Sequence, residues 1–515
     1  MSRMQASRLS WLVQRPRHAL ILALVLEAVI IVASHSDFAA SDPLWYADLA
    51  NLIAIDPSNV FAAPSNHPFE MRIGLTVPLA MIYRAFGVSV FTTNLPCLLA
   101  ALGVMLVVYA AAPTPRAKLL GLLIVLACTP LLRHASMLNV DLPGAALMAA
   151  SILFLAWRGR PRGAAWLVAA MVTWFAAFLV KESALWCAPV WIYAGVSDLR
   201  GAGLAVTARR FAPAIAAGAA LAAGYLLLCA HVWGDPWARF AGIEELTERH
   251  AWSMIDRSSA EWIERLVWGT PLMLAQLFRA TLIPAVLAAW LVRGSGRIWV
   301  VATASFVALF WFGSTSFSSY SPLPLSPRMM LPILPGILVL ATLGADQMIE
   351  RLQGSRWRAA IVAVLLAAIV IPAAFAIRFM IVRVRPETTA YAIVRELVED
   401  PDRHVVLVCG DPRCPPISRF HFGFAPPPNL SIMFGADFAA APQPRDVTVV
   451  VMVNLRRGTS SDWVDPAGVS AGYRVEKIEA LALPALFRHR EVRLYDAADG
   501  TRLWEALRAT TGPRT

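Results

Sequence analysis

Runs of about twenty apolar residues recur along the chain, and nearly all of them end at a short arginine-bearing loop. That pattern leaves few folds open. In hydrocarbon every backbone N–H and C=O must be satisfied within the chain, so only helices and closed barrels cross a bilayer, and runs of this length match helices. Charge is correspondingly scarce: 58% of the 515 residues are hydrophobic and 15% are charged, against about a quarter charged in a soluble domain. The formal net charge of +11 does not point to a nucleic-acid partner, because the arginines lie between apolar runs, where basic residues set membrane orientation.

The first run, Ala19 to Ser34, follows Arg15 and Arg17 and has the outline of a secretory signal. Further runs follow and no Ala-x-Ala cleavage site does, so it is expected to be the first span. Basic groups at the N-terminus, Arg116/Lys118, Arg158/Arg160/Arg162, Arg200/Arg209/Arg210, Arg293/Arg297 and Arg351/Arg356/Arg358 are taken as cytoplasmic. They predict about eleven spans, near 18–34, 89–111, 118–138, 142–157, 163–180, 183–198, 210–231, 268–292, 298–314, 327–345 and 358–380. An odd number places the N-terminus inside and the C-terminus outside. Arg72 to Gly87 is left without a crossing, since spanning there would put Arg116 and Lys118 on the wrong side. With charged ends and Pro78 it suits a helix lying in the outer interface.

From about residue 385 the texture changes. "YAIVRELVED" reads as a helix, while "HVVLVC", "DVTVVVMV", "YRVEKIEAL" and "EVRLYDA" read as strands separated by Pro, Gly and Asp. The architecture expected is an α-helical polytopic membrane protein with two domains. Residues 1–384 form the transmembrane domain, with outer loops at about 35–88 and 231–267, and residues 385–515 form a small extracytoplasmic α/β domain. No Gly-rich phosphate loop follows a strand there. The second loop mixes Trp233, Trp237, Trp252 and Trp262 with Arg239, Arg249 and Arg257, as an interfacial loop or lid does. No internal repeat stands out, which weakens a secondary-transporter reading.

Cys97, Cys128, Cys187 and Cys229 lie in spans as small apolar packers. Cys409 and Cys414 flank the turn "CGDPRC" in the outer domain, where either a disulfide or two thiols fit.

An ionised group at mid-bilayer costs at least ~2.5–3.5 kcal/mol, so charges inside spans need partners or roles. Glu27 and Arg279 are two such groups, at similar depths in the first and eighth expected spans. They fit a structural pair or separate water-lined groups, and a coupling-ion or substrate site is the alternative. The other notable charges gather at outer ends of spans: Asp42, Asp48, His67, Glu70 and Arg72, then Asp141, Lys181/Glu182 and Arg328. Such a ring would surround a cavity opening outward. Lys181 is distinctive, since only three of the 45 basic residues are lysines. A compact ammonium suits a phosphate at the membrane surface, although a snorkelling lysine fits the same position.

Five segments in order, "SDPLWYADLA", "NHPFEMRIGLTVPLAMIYRAFG", "LNVDLPGAALMAA", "FLVKESALWCAPVW" and "SPRMMLPILPGIL", resemble the polytopic GT-C glycosyltransferases. The nearest branch contains the bacterial protein O-mannosyltransferases and lipid A aminoarabinose transferases. The resemblance covers about residues 15–380. It implies Asp42 as the acid/base of the first outer loop, with Pro43 where the family has Glu and the aromatic at Tyr46. It implies Asp141 as the second-loop carboxylate, Lys181 as the lysine holding the lipid phosphate, and Arg328 as the arginine of an Arg-x-x-x-Pro-x-x-Pro pattern. His67 and Arg72 match its basic segment facing that phosphate, with Tyr46 and Glu182 at the sugar and acceptor pocket.

The function implied is transfer of a sugar from a polyprenyl-phosphate donor to an acceptor hydroxyl on the periplasmic face of a bacterial inner membrane. The acceptor would be an envelope glycan, lipopolysaccharide or protein, and membrane lipids would be the other partners. Nucleotide sugars are absent outside the cytoplasm, which makes a lipid carrier physically sensible. Cations at the interface would offset the charge that grows on the phosphate as the glycosidic bond breaks, and a carboxylate on the opposite face of the sugar would take the acceptor's proton. The alternative is a flippase of lipid-linked sugars, which needs the cations but no base. The sequence assigns no cofactor, and Asp42 and Asp141 outside the membrane leave a divalent metal possible.

Overall fold

The computed structural model of the protein describes residues 15–34, 42–60, 68–249, 254, 257–316, 319–382, 391, 394–402, 404–409, 414–434, 448–452 and 508–510. Among them nine helices are long and apolar enough to cross a membrane, or ten if one bent pair counts as a single span. The protein is a multi-pass membrane protein.

The chain opens with α1 (Pro16–Ala33), the short α2 (Asp42–Ile55), α3 (Ile73–Phe86) and α4 (Val90–Ala111). At 14 residues α3 is too short to span, in keeping with its expected place outside the crossings. Next come α5 (Pro115–Leu126) and α6 (Thr129–Ala135), bent by 59°. Pro130 causes the break: it has no N–H to give the Leu126 carbonyl, and the Cys128 N–H turns instead to Val125 O at 2.9 Å.

Two spans follow, α7 (Asp141–Ala156) and α8 (Gly163–Val180), joined by a turn in which Arg162 takes a left-handed conformation, φ 65°. The sixth expected span departs from a single long helix. A 3₁₀ segment, Glu182–Cys187, leads into α9 (Ala188–Ala202), whose 15 residues carry Asp198 and Arg200. Charge near both ends keeps it short of a long apolar helix.

Then come α10 (Leu204–Trp233), α11 (Ala238–Arg249) and α12 (Ser259–Ile263), which runs through a π-helical turn into α13 (Thr270–Phe278). Arg279, at φ 46°, breaks the run before α14 (Leu282–Leu291). The membrane part closes with α15 (Arg297–Phe312), a 3₁₀ turn Pro327–Ile333, α16 (Leu334–Arg351) and α17 (Arg358–Val382).

α16 is the core helix, with 14 of its 18 residues buried. It packs on α14, α5 and α15. Gly344 lets α14 approach, since a Cβ there would lie 2.0 Å from Pro284 O. At its basic end Asp346 accepts from Arg116 and, at 3.2 Å, from Thr114 Oγ1. Thr114 also caps α5 through the Ala117 N–H at 3.0 Å.

Glu27 and Arg279 are not paired. Among the described residues, fully buried Glu27 has no hydrogen-bond partner on either carboxyl oxygen, and no ion pair joins it to Arg279.

The chain divides into two compact units: residues 1–35, 56–79 and 94–381, and residues 36–55, 80–93 and 382–515. The second unit therefore takes in two early stretches besides the C-terminal part. Its sheet has the order β2-β1-β3-β4, with β1 (Val405–Cys409) parallel to β2 (Leu430–Phe434) and β3 (Thr448–Met452), and β4 (Arg508–Thr510) antiparallel to β3. β1 and β3 coincide with expected strands; β2 was not expected. The strands expected in "YRVEKIEAL" and "EVRLYDA" lie outside the described residues. Tyr391, Val394, Val405, Leu407, Ile417 and Leu430 form the core of this unit, together with Cys409, which is disulfide-bonded. Residues Cys414–His421 form α18, for which no element had been expected; the turn expected between Cys409 and Cys414 lies outside the described residues.

Candidate active site

The first unit gathers one buried cluster of charge from segments far apart in sequence. Asp141 is the first residue of α7, placed by the preceding loop. The loop is held by Asn139, whose amide donates to His134 O at 2.8 Å and Met137 O at 2.9 Å, while its carbonyl accepts from the Leu142 N–H at 2.9 Å. An acidic residue at a helix N-terminus is favoured by the helix dipole. The Asp141 side chain is wholly buried, with one oxygen accepting from the Lys181 ammonium and the other from Arg328 Nε at 2.6 Å.

Lys181 ends α8 in extended conformation, φ −156° and ψ 145°, which turns its side chain out of the helix line toward Asp141. Its ammonium also lies 3.6 Å from Met329 Sδ. Burial pushes its pKa down, Arg72 and Arg328 add to that push, and Asp141 opposes it.

Glu182, the next residue, is the second anionic centre. It accepts from Arg72 Nη2 at 3.0 Å and from Arg239 Nε at 2.8 Å. Burial alone would raise its carboxyl pKa, but the two guanidinium groups hold it well below the usual carboxylate range. Arg72 reaches Glu182 because α3 approaches α8 closely at Gly74, where a Cβ would lie 2.7 Å from the backbone of Leu179 and Val180. Arg239, at the start of α11, is 1% exposed; it donates to Tyr225 Oη at 3.2 Å and stacks 4.5 Å above the Phe178 ring. Among the described residues the cluster thus holds four cations, Arg72, Lys181, Arg239 and Arg328, around two carboxylates. Such an arrangement can bind an anion and stabilise negative charge developing on it.

The structure therefore brings together Arg72, Asp141, Lys181, Glu182 and Arg328. Asp42 and Tyr46 belong to the other compact unit: Asp42 is in the first turn of α2, and Tyr46, four residues on, is fully buried. His67 lies outside the described residues. Arg239 and Tyr225 were not among the expected site residues. Arg239 stood in sequence as one of three arginines in a tryptophan-rich loop, and nothing in its spacing marks the buried one. Among the described residues no group of three or more His, Cys, Asp or Glu could hold a metal ion.

The fold is that of the polytopic GT-C glycosyltransferases. The chain is similar over nearly its whole length to ArnT from Cupriavidus metallidurans bound to undecaprenyl phosphate, with a TM-score of 0.55 and 17% identity, covering 96% of this chain and 98% of that one. The same protein in the apo state gives a TM-score of 0.54 at 15% identity, covering 97% and 100%. No family model matches the chain, and no curated protein matches it in sequence.

Proposed function

We propose that the chain is an integral-membrane glycosyltransferase moving a sugar from a polyprenyl-phosphate donor to an acceptor hydroxyl on the periplasmic face of a bacterial inner membrane. The acceptor is an envelope glycan, lipopolysaccharide or protein. The observation that carries this reading is the convergence of Lys181, Arg72, Arg239 and Arg328 in one buried cluster on a GT-C fold. The ArnT structure bound to undecaprenyl phosphate supports a lipid-phosphate donor of this kind.

The chemistry follows from charge. When the bond between the anomeric carbon and the phosphate oxygen breaks, the electron pair stays with oxygen and the phosphate gains one negative charge. Cations already in place stabilise that state without reorganising. Asp141 and Glu182 each have both oxygens engaged with cations. Their role here is to position Lys181, Arg328, Arg72 and Arg239, so Asp141 is not the base. That assignment goes to Asp42, which takes the acceptor's proton as the hydroxyl attacks, with Tyr46 shaping the pocket; it rests on the resemblance of "SDPLWYADLA". His67 belongs to the basic segment on the same grounds. Residues 1–384 serve as the transferase domain and 385–515 as the periplasmic α/β domain, with the N-terminus cytoplasmic.

Binding of purified protein to a polyprenyl-phosphate sugar, and release of that sugar, test the reading. Lys181→Ala should weaken donor binding by about tenfold to a hundredfold, the scale of a charge-assisted hydrogen bond. Lys181→Arg should keep part of the binding, because the charge stays while the geometry changes. Wild-type donor affinity in folded Lys181→Ala protein would remove Lys181 from the donor site.

A further inference from the structure

Two turns on the basic face of the membrane part converge on one carboxylate. Asp198, near the end of α9, accepts from Arg158 Nε at 2.8 Å through one oxygen and from Arg210 Nη1 at 2.9 Å through the other. Arg158 belongs to the turn between α7 and α8, and Arg210 to the first turns of α10, so these bonds draw the α7–α8 and α9–α10 turns into one patch. Membrane orientation asks only that basic residues lie on one face, in whichever loops. It does not ask that two of those loops be tied together. Residues 157–166 and 196–212 carry six arginines, Arg158, Arg160, Arg162, Arg200, Arg209 and Arg210, against one acid, Asp198. Both oxygens of Asp198 are engaged, and among the described residues no ion pair holds Arg160, Arg162, Arg200 or Arg209, all four of them exposed.

Apolar surface lies beside this charge. Leu204, the first residue of α10, is 73% exposed and Val206 is 50% exposed. Trp157 meets Trp166 edge-on with ring centroids 4.9 Å apart and carries the Arg160 guanidinium 4.5 Å above its ring, the pairing of apolar body and polar tip that suits a membrane interface. A soluble phosphate or a nucleic acid would use the cations and leave the leucine and valine in water. An anionic lipid uses both, with its phosphate on the guanidinium forks and its acyl chains on the apolar residues.

We propose that the joined α7–α8 and α9–α10 turns form a binding site for the headgroup of an anionic phospholipid. Asp198 is the clasp: it fixes two arginines and leaves four for the ligand. The site goes beyond the transfer reaction and does not depend on it. Arg162 stands at the start of α8 and Lys181 at its end, and the 18 residues between them rise about 27 Å.

The full-length protein in a neutral detergent, titrated with phosphatidylglycerol and separately with phosphatidylcholine, tests the site when bound lipid is counted by native mass spectrometry. Wild-type protein should retain phosphatidylglycerol in preference to phosphatidylcholine and saturate. Arg160→Gln with Arg209→Gln should weaken phosphatidylglycerol retention by about tenfold to thirtyfold and leave phosphatidylcholine unchanged. Arg351→Gln with Arg356→Gln is the control: it removes two exposed arginines from another loop of the same face, and retention should stay at the wild-type value. All four side chains are exposed, so both double variants should melt as wild type does. Equal losses in the two double variants would mean diffuse attraction by net charge and overturn the site. So would equal retention of the two lipids by wild-type protein, and so would displacement of phosphatidylglycerol by millimolar inorganic phosphate, which would mark an anion site indifferent to acyl chains.

Discussion

At the residue scale, Glu182 shows how the cluster couples stability to pH. Its carboxyl stays ionised in the fold well below its ordinary value of 4.5, because Arg72 and Arg239 outweigh the burial that would raise it. The unfolded chain takes up a proton near the ordinary value while the folded one does not. The stability from this group is therefore fully present above that pH and is lost progressively as pH falls below it. Melting temperature should drop on acidification from about pH 6 to about pH 3, and Glu182→Gln should flatten part of that slope. The same variant should be less stable near neutrality by about 3–5 kcal/mol, because it leaves two buried guanidinium groups without their carboxylate. An unchanged acid slope in Glu182→Gln would assign the pH dependence elsewhere. Residues such as Glu182, Lys181 and Asp141 were legible in sequence because each sits where an apolar run stops, and a charge at that boundary is conspicuous. Arg239 was not, because a loop has no period against which to place a side chain. Glu27 and Arg279 invited a pairing from depth alone, but depth does not fix which face of a helix a residue occupies.

At the scale of elements, the site depends on how closely α3 meets α8. Gly74 is two residues beyond Arg72, and its missing side chain is what permits the contact with the Leu179–Val180 backbone. Gly74→Ala forces the helices apart, since backbone atoms cannot yield as a flexible side chain does. The expected cost is about 1–3 kcal/mol of stability, from overpacking. Donor affinity should fall with it as Arg72 withdraws from Glu182. Gly103→Ala in α4 is the control: nothing lies within 4 Å of its Cβ position, so it should gain the ~1 kcal/mol that alanine holds over glycine in a helix. Melting curves and donor titrations of the two variants decide the matter, and equal behaviour would show that the α3–α8 contact does not position Arg72. The helices themselves were readable from apolar length. The break at Pro130 and the 3₁₀ segments at Glu182 and Pro327 were not, because an apolar run looks the same whether or not its hydrogen-bond ladder is interrupted. β2 escaped because five residues after a proline run carry too short an alternation to separate from a loop.

At the scale of the whole molecule, topology turns on the segment from Glu182 to Ala202, which is too short and too charged to stand among the long apolar helices. Its ends nevertheless mark opposite ends of α8. Glu182 follows directly on the last residue of α8, whereas Asp198 bonds Arg158, just before α8 begins, at 2.8 Å and Arg210 at 2.9 Å. The 18 residues of α8 rise about 27 Å, so the segment traverses nearly the depth of a hydrocarbon core, ~30 Å. Counted as a crossing, it makes the number of spans odd and places both residue 58 and residue 402 on the side away from the arginine loops. Introduced cysteines test this with little background, since the four free thiols among the described residues are all buried. A membrane-impermeant maleimide applied to intact cells with an opened outer membrane should label Ser58→Cys and Asp402→Cys. It should miss Gly159→Cys and Ser295→Cys until the inner membrane is permeabilised. Labelling of Ser58→Cys but not Asp402→Cys from outside would mean that an even number of segments crosses, with Glu182–Ala202 returning to the face it left, and the C-terminal domain would then be on the cytoplasmic side.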